Sequence, residues 1–131
     1  MKSLSNFLLL CGIVVALIAS PASAVDKNKA APPFTIEDIH GETVSLDALI
    51  DDNTELVVLH FFTFAADPQK TLPLRLRHLH RRYGQRIKIV ALGYKEDEAD
   101  LRKFAEESRI QYYLAADPPE VGAEGRYGPI R

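Results

Sequence analysis

The chain has 131 residues, 47% hydrophobic and 26% charged, which is the make-up of an ordinary globular protein with room for one core. Its 16 Lys and Arg stand against 18 Asp and Glu, a net charge of −2 that neither demands nor excludes a charged partner. Cys11 is the only cysteine, which excludes an internal disulfide framework.

Residues 1–24 read as a secretory signal peptide. Lys2 supplies the positive start, Phe7 to Ala19 the apolar stretch, and Ala22-Ser23-Ala24 a small-residue cleavage site before Val25. The apolar stretch is 13 residues long, short of the roughly 20 that a bilayer span needs. Pro21 follows it, so cleavage is expected, with no stable membrane span left afterwards. Processing as a lipoprotein at Cys11 is disfavoured, because this residue lies inside the apolar run behind bulky Leu10. Cys11 therefore leaves with the signal. The mature chain, 25–131, is expected to be periplasmic or secreted, with a net charge of −3 and no thiol. Export usually permits disulfides, but this chain has nothing to form one.

Residues 25–33 are Ala-, Lys- and Pro-rich and read as a flexible tether. Phe34-Thr35-Ile36 and Thr43-Val44-Ser45-Leu46 flank the polar turn Asp38-Ile39-His40-Gly41, the pattern of a hairpin, and Ser45 or Asp47 can cap a one-turn helix running to Ile50. Leu56 to Phe62 is continuously apolar but for His60, which predicts a strand buried on both faces at the centre of a sheet. After a loop over residues 63–68, Leu72, Leu76, Leu79 and Tyr83 recur at helical spacing up to Gly84, with Pro73 expected to kink the helix. Asp67 reads as its N-cap. Ile87 to Gly93 predicts a second buried strand, Glu96 onward a second helix buried through Leu101, Phe104 and Ala105, and Ile110 to Ala115 a third strand ended by Asp117-Pro118-Pro119. Strand, helix, strand, helix, strand in this order is an α/β fold of βαβ units with a mainly parallel central sheet, forming one domain over residues 34–131.

Several stretches, in this order and spacing, resemble a known family. They are Pro33-Phe34-Thr35-Ile36-Glu37-Asp38 with Gly41 and Val44-Ser45-Leu46, then Leu56 to Phe62, Asp117-Pro118 and Tyr127-Gly128. From about Pro32 to Gly128 the chain resembles the periplasmic, TlpA-like thiol-disulfide oxidoreductases of the AhpC/TSA (redoxin) branch of the thioredoxin-like fold. The resemblance implies a Thr-Trp-Cys-Xaa-Pro-Cys loop after the central strand. Here its cysteines fall on Ala66 and Gln69 and its tryptophan on Ala65, while Pro68 is kept. Thiol exchange needs a thiolate, whose pKa a helix N-terminus lowers, and peroxidase chemistry starts from the same species. Neither Ala66 nor Gln69 can supply it, so no catalytic residue is assigned.

The resemblance also implies a cis-proline, two further strands and a helix beyond Tyr127-Gly128, which the sequence to Arg131 does not contain, and Pro129 comes too soon to be that proline. The fold is thus expected to be truncated at its C-terminus. Either the gene product is incomplete, the preferred reading at so small a size, or a partner strand completes an exposed edge.

Other constellations carry less. Eight basic and no acidic residues lie between Pro68 and Lys95, among them Lys70, Arg75, Arg77, Arg81, Arg82 and Arg86, and six acids follow from Glu96 to Glu107. This reads as solvated helix faces rather than as a nucleic-acid surface, since aromatic residues do not interleave. His78 and His80 diverge around a helix and His60 lies in the strand, so no metal or other cofactor is expected. The functional expectation is a redox-inactive binding module whose surface of Phe62, Ala65, Ala66, Asp67, Pro68 and Gln69 docks an extended peptide or protein. Two alternatives stand beside it: a family-type oxidoreductase or peroxidase using a partner's cysteine, and a non-functional fragment.

Overall fold

The computed structural model describes residues 28–122 and 125–128. The signal-peptide reading of residues 1–24 and the question of Pro129 lie outside them. A hairpin comes first: β1 (Thr35–Glu37) pairs antiparallel with β2 (Thr43–Ser45), with Ile36 opposite Val44. Asp38 organises the turn, its Oδ1 accepting the His40 and Glu42 amides at 2.9 Å each. Gly41 closes it at φ +78°, where a side chain would be strained. Ser45 then caps α1 (Leu46–Leu49), accepting the Ala48 N–H on Oγ at 3.3 Å.

The two βαβ units follow as β3 (Leu56–Phe62), α2 (Thr71–Tyr83), a 3-10 turn, β4 (Ile87–Gly93), α3 (Glu98–Ser108) and β5 (Tyr113–Ala116). The strands form a parallel sheet in the order β3-β4-β5, with Val58 beside Ile89 and Ala91 beside Leu114. Side chains alternate across β4. Ile89 and Ala91 meet Leu76 of α2 and Leu101 and Phe104 of α3. Val90 and Leu92 meet Phe34, Val44 and Leu49 on the hairpin side. Burying each such Ile, Leu or Phe contributes about 1.5–3 kcal/mol, so the sheet is held by helices on one face and the hairpin layer on the other.

The structure corrects several expectations. Among the described residues the centre of the three-stranded sheet is β4, whose Ile89 to Leu92 are at most 1% exposed, whereas β3 lies at an edge and its Leu56 is 51% exposed. Pro73 is the third residue of α2, where a missing N–H forfeits no intrahelical bond, so the helix has no reason to kink there. Leu72 faces solvent, and Pro73 takes the buried position beside Leu76.

The third strand begins at Tyr113, because Ile110 finishes α3 instead. Arg109 takes the left-handed φ of 53°, and the Ile110 N–H donates to Ala105 O at 2.9 Å. Pro32 and Pro33, assigned to the tether, are pinned to the domain by hydrogen bonds from the Tyr127 hydroxyl and the Arg126 guanidinium to their carbonyls. Among the described residues no helix is long and apolar enough to cross a membrane.

Candidate functional site

The loop between β3 and α2 leaves the sheet at the C-terminal end of its strands. Thr63 starts it by accepting the Ala66 N–H on Oγ1 at 3.0 Å, and the Asp67 N–H donates to Thr63 O at 3.3 Å. The sequence pattern points to Asp67 as the N-cap, but the residue in that place is Lys70, held at φ 53° with no side-chain cap of its own. Asp67 still serves the helix end from three residues further back. Its Oδ2 accepts the Leu72 N–H at 3.1 Å, and its carbonyl accepts the Lys70 N–H at 2.9 Å.

Ala65, Ala66, Pro68 and Gln69 are exposed on this loop, and Asp67 is half-buried. Phe62 sits apart from them, 8% exposed within the helix-side core, so it supports the loop from beneath and offers no surface. The sequence reading missed what fixes the loop. The Phe64 N–H donates to Glu96 Oε1 at 2.7 Å, and its ring packs at 5.5 Å from that of Phe62 and at 5.4 Å from that of Phe104. The Lys70 ammonium lies over two of these three rings, 5.2 Å from the Phe64 centroid and 5.7 Å from that of Phe104. Strand alternation from Phe62 could have put Phe64 on the helix side, but no local rule pairs it with Glu96.

His60 stacks on Phe62 with centroids 5.5 Å apart, and its Nδ1 is buried without a hydrogen-bond partner among the described residues. Burial pushes its pKa below the ordinary imidazole value, with the Asp67 carboxylate pulling the other way, so the ring is neutral at pH 7. His80 packs edge-on against Tyr112 with its pKa also lowered, by burial and then by Lys88. His78 is exposed. Among the described residues no three His, Cys, Asp or Glu side chains gather as a metal would require.

The solved structures that resemble the chain give its fold a name. A thiol:disulfide interchange protein of the thioredoxin family from Chlorobium tepidum TLS superposes with a TM-score of 0.63 at 16% identity, over 75% of this chain and 66% of that one. A DsbF homologue from Corynebacterium diphtheriae gives 0.57 at 23%, over 85% and 73%. A secreted Mycobacterium tuberculosis disulfide oxidoreductase homologous to E. coli DsbE gives 0.55 at 16%, over 67% and 63%. The chain thus has a thioredoxin-like fold and spans about two thirds of the length of such structures. No curated protein matches it. The family model that does match covers residues 28–129, hairpin, both βαβ units and the Tyr127 turn included, and the chain accordingly belongs to the AhpC/TSA family.

Proposed function

We propose that the protein is an exported thioredoxin-like module that performs no thiol chemistry and instead binds an extended peptide or protein segment at the loop Ala65 to Gln69, without a metal or cofactor. One observation carries the reading: the chain places Ala66 and Gln69 where its family resemblance expects the redox pair, and Cys11 is its only cysteine. A methyl group and an amide cannot attack a disulfide sulfur or leave from one, so capture at this loop becomes simple reversible binding. Supporting it, the four exposed residues sit on a frame fixed by Asp67, Phe64 and Glu96, and a preorganised loop loses less entropy on binding.

The edge of β3, which pairs with no further strand among the described residues, supports a second element, a partner strand that completes the sheet. Export rests on the signal-like residues 1–24.

The test is insulin reduction and peroxide consumption by the chain purified from an exporting host, together with peptide-array binding. Binding without turnover is expected. Turnover above a cysteine-free control protein would falsify the reading, as would a loop variant, Ala66→Arg with Gln69→Arg, that binds the same peptides with unchanged affinity.

A further inference from the structure

Beside the loop runs a groove of about 240 Å3 lined by Phe64, Lys70, Asp100, Lys103, Phe104 and Glu107. Asp100, Lys103, Phe104 and Glu107 are spaced so that they share one face of α3. The floor is aromatic, with the Phe64 and Phe104 rings edge to face at 71°. Its present occupant is a cation from the chain itself, since the Lys70 ammonium lies over both rings and pairs with no carboxylate among the described residues.

We propose that this groove receives an arginine side chain of the bound peptide, and that Lys70 fills it in the peptide-free state; the proposal rests on the peptide-binding reading above. The position of Lys70 demonstrates that the floor takes a cation. Charge permits exchange for an external one. With Lys70 withdrawn, Asp100 and Glu107 face Lys103 alone, leaving one uncompensated negative charge on the groove. A guanidinium suits the place better than an ammonium, because it is planar, weakly hydrated and able to stack on a ring while donating to a carboxylate. The exchange is offset in part, since Lys70 gives up a half-buried cation–π contact but regains full hydration. A peptide crossing Ala65 to Gln69 lies next to this groove, because Phe64 and Lys70 bound that segment on either side.

The experiment is a nuclear magnetic resonance titration of the 15N-labelled chain with three probes. These are acetyl-Ala-Ala-Arg-Ala-Ala amide, its counterpart with citrulline for arginine, and N-acetyl-arginine amide. The arginine peptide is expected to bind about fivefold or more tightly than the neutral citrulline peptide, shifting the Phe64 and Phe104 amides together with those of the loop. Asp100→Asn, at an exposed position, should narrow that preference, and Lys70→Ala should tighten the arginine peptide by removing the internal competitor. Equal affinity for the two peptides, with shifts confined to the loop, overturns the groove proposal and leaves peptide binding standing. Groove shifts with N-acetyl-arginine amide but none in the loop with either peptide uphold the groove and overturn the loop. No response to any probe overturns both.

Discussion

Glu96 and Phe64, 32 residues apart, meet in a hydrogen bond of 2.7 Å from the Phe64 peptide N–H to the Glu96 carboxylate. This one bond joins the loop after β3 to the approach of α3 and sets where Phe64 packs between Phe62 and Phe104. Glu96→Ala should cost about 1–3 kcal/mol, because it leaves a part-buried amide unsatisfied. Glu96→Gln, which keeps an acceptor, should cost less. Urea denaturation checks the order, and hydrogen exchange at the Phe64 amide should accelerate more in the alanine variant.

The strand assignments make a prediction about stability. Leu92, fully buried on β4, should lose about 2–5 kcal/mol on substitution by alanine. Leu56, half exposed at the start of β3, should lose less than about 1 kcal/mol. Equal losses would contradict a sheet centred on β4.

The half-buried histidines His60 and His80 give stability a pH dependence of definite sign. His60 and His80 both have folded-state pKa values below the ordinary 6.5, so near and below that pH the unfolded chain binds more protons. Stability from this source is complete above pH 6.5 and is lost as the pH falls from 6.5 through the lower folded-state values. Urea midpoints measured from pH 8 down to pH 5 should therefore drop. The drop should be smaller in His60→Phe, whose ring can keep the stacking on Phe62.

Tyr112 is tied to the first turn of α2 by a 3.0 Å hydrogen bond from its hydroxyl to Pro73 O. Tyr112→Phe should cost about 1 kcal/mol. Burial raises the Tyr112 pKa far above that of a free phenol, so absorbance at alkaline pH should show it ionising after the other tyrosines or only on unfolding.

Placing a thiol back in the loop tests the local electrostatics independently of any binding. In Ala66→Cys the sulfur stands before the N-terminus of α2 with Lys70 close by in sequence, an arrangement that favours thiolate. Alkylation by iodoacetamide at pH 7 should be faster for the folded chain than for the same chain in urea. A slower rate would mean that the loop end carries no such field.

Much of this architecture is legible in the sequence. The spacing of Leu101, Phe104 and Ala105 gives the buried side of α3, and Asp38 to Gly41 gives the hairpin turn. The relative standing of β3 and β4 is not legible, because an apolar run reports what packs on a strand's two faces and says nothing of neighbours along its edges. Leu56 to Phe62 is the greasier run and yet lies outermost among the described strands, while Ile87 to Gly93, with Lys88 in it, is central. At the site, the positions of Ala66 and Gln69 follow from aligning the loop. The Phe64, Lys70, Phe104 and Glu96 assembly does not, since its members come from three parts of the chain and meet only after both crossovers have folded.

The hydrogen bonds from Arg126 and Tyr127 to Pro33 and Pro32 bring two segments far apart in the sequence to one spot. Whatever precedes Pro32 and whatever follows Tyr127 therefore departs from a common point, and a force applied between them loads this clasp before it reaches the sheet. Stretched in an optical trap, the molecule should yield first by release of the Phe34 segment, its ring losing the edge contact with Tyr127, and only afterwards by rupture of β3, β4 and β5. That order makes the clasp a mechanical fuse, sparing the parallel core while the periphery gives way.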